Sequence, residues 1–136
     1  LPDEMVFIMY HQVNELLFKM ILWEMNQLGQ NPNPETSFFT EKLDRISRYF
    51  DMLTTSFDIM GDGMNIDQYN KFRNTLTPAS GFQSAQYRII EFGSTLLITD
   101  LEPPLTETHL LSTLLSICIG KLQAKTTQQA KNRIYC

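Results

Sequence analysis

The sequence predicts an all-α protein, a helical bundle, and three observations carry that prediction. Residues 3–28 contain neither Gly nor Pro, and their apolar residues cover most of a helical wheel. Residues 39–60 repeat Phe39, Leu43, Ile46, Phe50, Leu53, Phe57 and Met60 at alternating steps of four and three, the spacing of a heptad seam. No stretch of useful length alternates apolar and polar residues as a half-buried strand does. At 136 residues and 43% hydrophobic content, the chain is about one domain long and can bury a modest core.

The elements follow in order. The first helix is so apolar that it is expected to be largely buried, with Gln12, Glu15, Lys19 and Asn26 as its polar strip and Glu15 four residues ahead of Lys19 in the favourable order for an ion pair. The stretch from Gly29 through Pro34 stops it, and within Asn31-Pro32-Asn33-Pro34, Asn33 is placed to cap the next helix with Pro34 at the first position, where a missing N–H costs nothing. The seam that follows needs a partner helix. Gly61-Asp62-Gly63 breaks it, and residues 65–76 read as a short helix with Tyr69, Phe72, Arg73 and Leu76 on one face. Thr77-Pro78-Ala79-Ser80-Gly81 is a loop, after which a helix starting near Phe82 carries Ala85, Ile89, Ile90 and Phe92 before Gly93. Beyond Leu97 the character changes: Leu101-Glu102-Pro103-Pro104 is a linker, residues 109–119 form a Leu-rich helix, and the end is polar. No internal repeat is present. A first helix this apolar exceeds what one small layer covers, which points to oligomerisation or to a further part of the protein.

Composition narrows the function classes. Eleven Lys and Arg against fifteen Asp and Glu give a net charge of -4 with no basic stripe, which argues against nucleic-acid binding. Two cysteines, Cys118 and Cys136, have no metal-ligand spacing and are too few for a disulfide framework, so a reducing, cytoplasmic setting is expected. No secretory signal opens the chain, and the absence of an initiator methionine before Leu1 points to residues upstream. The apolar run over residues 5–28 is interrupted by His11, Gln12, Asn14, Glu15, Lys19, Glu24, Asn26 and Gln27, so no membrane span is expected.

Three features could carry chemistry. His11 shares a helix face with Phe7, Asn14, Phe18 and Leu22, which makes it either a satisfied core histidine or an acid, base or hydrogen-bonding group facing a pocket. Arg73 lies in line with Tyr69, Phe72 and Leu76. Its planar fork suits the carboxylate of an amino acid, and the alternative is a guanidinium that snorkels to solvent. Ser80-Gly81 precedes a helix, where hydroxyl and backbone N–H groups bind an anion or simply cap.

As strings, these residues resemble a known family. Phe7-Ile8-Met9-Tyr10-His11-Gln12 with Glu15-Leu16 and Phe18-Lys19 is similar to the helix that covers the distal face of the haem in the tryptophan 2,3-dioxygenases. Phe72-Arg73-Asn74-Thr75-Leu76-Thr77-Pro78-Ala79-Ser80-Gly81-Phe82-Gln83-Ser84, continuing through Gln86-Tyr87-Arg88 to Glu91, resembles that family's most characteristic stretch. The resemblance covers residues 3–97, giving a dioxygenase-like helical domain over 1–97 and an unassigned helical tail over 98–136. It implies an enzyme in which haem b binds O2 and L-tryptophan is opened to N-formylkynurenine, in a homo-oligomer that is a tetramer in the family. It further implies that Phe7 packs on the indole, that His11 hydrogen-bonds the indole N–H as the catalytic residue, and that Arg73 clamps the carboxylate. Tyr69 and Leu76 would line the pocket, while Ser80 and Gly81 would border the haem. The family's proximal iron ligand is a histidine far downstream, followed by Ile-Gly and a Gly-Thr-rich loop. Here His109 is the one candidate for that metal ligand; Ile119-Gly120-Lys121 follows at a longer spacing, with Lys125-Thr126-Thr127-Gln128 in place of the loop. A haem-free helical oligomerisation or ligand-binding module of the same family is the alternative reading.

Overall fold

The computed structural model describes residues 1–76 and 84–99, with side chains through Ser94. Four α-helices and one 3-10 turn make up the described residues, and none of those residues is in a strand. Helix α1 spans Pro2–Gly29, α2 Thr36–Gly61, α3 Ile66–Phe72, a 3-10 turn Arg73–Leu76, and α4 Ala85–Thr99. The all-α expectation holds.

Helix α1 opens with Pro2 in its first turn and with Asp3 and Glu4 at the end where the helix dipole is positive. Its 28 residues make a rod about 42 Å long at the standard rise. One face is buried, through Tyr10, Leu17, Phe18, Ile21 and Glu24. The rest of its apolar surface is not: Met5, Ile8, Met9, Val13, Leu16 and Trp23 are exposed, so the expectation of a largely buried first helix is corrected. An apolar wheel shows that several sides can be buried, whereas the described chain supplies neighbours to only one.

Helix α2 fulfils the seam. Phe39, Leu43, Ile46, Phe50, Leu53 and Met60 are buried and Phe57 is half-buried. The partner is α1, which runs antiparallel: Ser56 meets Tyr10 and Asn14, while Lys42 and Arg45 meet Glu24. The helix starts later than expected. Its N-cap is Glu35 rather than Asn33, and Asn31 Oδ1 accepts from the Asn33 N–H in the turn before it.

Helices α3 and α4 lie along α1 in the same direction as it. Asp3 and Phe7 contact α3 through Gln68, Tyr69 and Phe72, and Glu15, Phe18 and Met25 contact α4 through Gln86, Tyr87 and Gly93. The short helix is capped by Asn65, whose Oδ1 accepts from the Gln68 N–H. It tightens into a 3-10 turn at Arg73, whereas a single helix over 65–76 was expected. Helix α4 continues past Gly93, which does not end it. The core joins Leu17, Phe18 and Ile21 to Phe39, Leu43, Ile46, Phe50 and Leu53, with Tyr87 and Ile90 closing it from α4.

Between α2 and α3 the chain turns through Gly63. A Cβ there would lie 2.7 Å from the Ile59 carbonyl oxygen, so only glycine lets the backbone pass this close. That turn brings α3 back to the start of α1. No helix among the described residues is long and apolar enough to cross a membrane.

Candidate functional site

The site grows out of two helix faces. On α1, Phe7 and His11 are one turn apart, and on α3, Tyr69 and Phe72 are three apart, so each pair is neighbourly within its own helix. The Gly63 turn lays the two pairs together. Phe7 is the hub: its ring centroid is 4.2 Å from that of His11, 5.5 Å from Phe72 and 6.4 Å from Tyr69. Tyr69 and Phe72 meet edge-on at 5.4 Å. Each such pair contributes about 0.5–1.5 kcal/mol beyond area burial, so the cluster forms an apolar wall. Phe72 is buried and forms its floor, while Phe7, His11 and Tyr69 are half-buried and remain partly accessible.

His11 Nδ1 lies 2.8 Å from the Phe7 carbonyl oxygen, which can only accept, so Nδ1 is the donor in this contact. Among the described residues Nε2 has no hydrogen-bond partner. Tyr10 packs edge-on against the imidazole at 5.3 Å, and its hydroxyl accepts from Ser56 of α2 at 3.4 Å. Helix α3 contacts α1 before His11 and α4 contacts it after His11, so the imidazole sits in the stretch between them.

Arg73 caps the C-terminal end of α3 and is exposed, with Nη1 donating to Asn70 Oδ1 at 3.4 Å. Leu76 is half-buried at the end of the 3-10 turn. Of the predicted residues, then, Phe7, His11 and Tyr69 are brought together, and Arg73 and Leu76 follow in the 3-10 turn after the helix that carries Tyr69. Ser80 and Gly81, expected at the cofactor, and His109, the metal candidate, lie outside the described residues, as does the tail from residue 100 on. An open apolar groove of about 640 Å³ runs along Leu16, Met20, Trp23 and Ile89 and includes none of the predicted site residues.

Three features escaped the sequence reading. Glu24 was read as a polar interruption of an apolar run. It is 4% exposed, with Lys42 Nζ 3.0 Å from one carboxylate oxygen and Arg45 Nη1 3.3 Å from the other. The Glu24 hydrogen bond, with Glu41 beside it, raises the Arg45 pKa above its ordinary value. Glu15 was assigned to Lys19 and instead accepts from Gln86 Nε2 at 2.8 Å, fastening the start of α4 to α1. Asp3, Asn65 and Gln68 bond to one another across the α1–α3 junction. Apart from the Asn65 cap, which is local to α3, these links join different helices and no spacing within a single helix could have revealed them.

A profile of the family described as "Tryptophan 2,3-dioxygenase" matches residues 1–96. The chain belongs to the tryptophan 2,3-dioxygenase family. Proteins bearing that name are 40% identical over 91 residues in Ruegeria sp. (strain TM1040), Polaromonas naphthalenivorans (strain CJ2) and Bacillus anthracis. In each case the alignment covers 66% of this chain and 32% of the relative, so the chain spans about a third of the length of the curated relatives it matches. No solved structure matches it. The family is haem-dependent in general, which calls for a test of fit. Among the described residues the one histidine is His11, whose Nδ1 faces a backbone carbonyl while Nε2 stays open, and Ser80, Gly81 and His109 lie outside the described residues. The described part of this segment builds an aromatic wall beside one half-buried imidazole.

Proposed function

We propose that this chain contributes the tryptophan-binding wall of a haem-dependent dioxygenase that opens the indole ring to N-formylkynurenine. The observation that carries the reading is the placement of His11: with Nδ1 on the Phe7 carbonyl oxygen, Nε2 is left open beside the Phe7 ring, and in the neutral ring it would accept from an indole N–H. Phe7 provides the apolar face against which an indole packs, and Tyr69, from α3, borders the same space. Arg73 stands at the end of that helix as the group for the substrate carboxylate, with Leu76 beyond it.

In this reading the residues orient and bind. His11 positions the indole by accepting from its N–H, and Arg73 fixes the opposite end of the substrate, so two anchors define the pose. When bound, haem supplies the activation of O2 for addition across the indole C2–C3 bond. Ser80, Gly81 and His109 are proposed contacts to it, all outside the described residues. The exposed apolar side of α1 supports assembly against the remainder of the protein and further copies in a homo-oligomer, and the family unit is proposed to occupy residues 1–97.

The test is Arg73→Lys in the intact enzyme, with tryptophan and tryptophan amide compared as ligands. An ammonium keeps the charge but lacks the planar two-point grip, so tryptophan affinity should fall about tenfold or more while the amide changes little. Unchanged affinity for tryptophan, with the amide binding equally well, would remove Arg73 as the anchor.

A further inference from the structure

Three hydrogen bonds close a ring between the first turn of α1 and the first turn of α3. The Asp3 carboxylate accepts from the Asn65 N–H at 2.7 Å, the Asn65 side chain accepts from the Gln68 N–H at 3.1 Å, and the Gln68 side chain accepts from the Asp3 N–H at 3.1 Å. Each residue donates once through its backbone and accepts once through its side chain. Two of the three bonds cross between helices, spanning 62 and 65 residues of sequence.

The ring lies one turn from the wall. Phe7 is four residues after Asp3, Phe72 is four after Gln68, and their rings touch at 5.5 Å. Both helices are parallel here, so a slip of one along the other changes the distance between His11 on α1 and Arg73, the residue that ends α3. Aromatic edges tolerate such a slip, because ring pairs keep contact over a range of offsets. A charge-assisted bond to a backbone N–H does not tolerate it, since it weakens steeply with distance and angle. Asp3 also stands at the positive end of α3, where its charge is favourable.

The geometry points to Asp3 as a positioning residue, which through Asn65 and Gln68 sets the register of α3 on α1 and hence the span between the indole acceptor His11 and the carboxylate anchor Arg73. It rests on the tryptophan-binding reading above. Asp3 touches no substrate; it acts through the helix that carries the anchor.

The consequence is selective. A ligand that uses both ends of the span should depend on the ring, and one lacking the carboxylate should not. In the intact, haem-loaded enzyme, Asp3→Ala should raise KM for tryptophan about tenfold, the equivalent of one net hydrogen bond, with kcat changed by less than about twofold. The haem absorption spectrum should be unchanged, the Asn65 amide should exchange faster with solvent, and the affinity for tryptophan amide should barely move. Asp3→Asn, which keeps an acceptor for the Asn65 N–H, should restore most of the loss. Gln68→Met opens the same ring from the α3 side and carries the test if Asp3→Ala fails to fold. An equal loss for tryptophan and its amide, a fall in kcat with altered haem absorption, or an unchanged KM despite faster Asn65 exchange would each overturn the assignment. A wild-type enzyme that does not bind tryptophan would instead overturn the functional reading beneath it, and the two failures are told apart by the wild type alone.

Discussion

Glu24 offers the sharpest test of how the bundle is held. Its side chain is 6% exposed and that of Lys42 is 7% exposed, with 3.0 Å between Nζ and the carboxylate, so the ammonium has a charge partner within the core and little water. Glu24→Ala removes the charge and strands Lys42, and breaking a buried pair from one side costs about 3–5 kcal/mol. Arg45 adds little to that figure, because its side chain is 45% exposed and keeps Glu41 as a partner. Lys42 retains its position over the Phe38 ring at 5.0 Å, which offsets a fraction of the loss. With a urea dependence of about 2 kcal/mol per molar, the unfolding midpoint should fall by about 2 M. The control is Glu24→Leu with Lys42→Met, which removes both charges at similar volume and should recover most of the stability, since a buried pair is often no better than apolar packing. Urea unfolding followed by far-ultraviolet circular dichroism measures both. If Glu24→Ala lay within about 1 kcal/mol of wild type, the pair would be behaving as a solvated surface pair. The claim that it joins α1 to α2 through the core would then be refuted.

Two further outcomes are expected. His11→Ala in the intact enzyme should lower kcat/KM for tryptophan about tenfold, the worth of one net hydrogen bond, while haem stays bound; loss of the haem absorption band would identify His11 as an iron ligand instead. The two glycines should respond in opposite directions. Gly93→Ala places a methyl 3.0 Å from the mobile end of Met25 inside a helix and should be neutral or stabilising by up to about 1 kcal/mol, whereas Gly63→Ala meets the Ile59 backbone at 2.7 Å and should destabilise by about 1–3 kcal/mol. Thermal unfolding of the two variants decides the order, and a reversed order would show that the turn after α2 is free to relax.

What could be read from the sequence was whatever a single helix encodes. The α2 seam was legible because Phe39, Leu43, Ile46, Phe50 and Leu53 repeat on one face, and the structure buries them all. The Phe7–His11 and Tyr69–Phe72 pairs were legible for the same reason, each lying on one face of its own helix. Contacts between helices were not. Glu24 and Trp23 are adjacent, yet Glu24 is 4% exposed and Trp23 66% exposed, the reverse of what their polarity suggests, because the cations that satisfy Glu24 come from the antiparallel α2. Asn33 is not the cap: its segment turns with Asn31 Oδ1 on the Asn33 N–H, and α2 is entered through Glu35 instead, a choice that propensity alone does not rank. The candidate site combines both kinds of information. Its side-chain types came from patterns within α1 and α3, but their meeting depends on a backbone approach at Gly63 and on Asp3 bonding to residues more than sixty positions away. A substitution at Phe7 or Tyr69 therefore alters what the wall is made of, while a substitution at Gly63 or Asp3 alters where its two halves stand. Only the second kind should change affinity for a two-ended ligand without changing affinity for an indole that lacks the carboxylate.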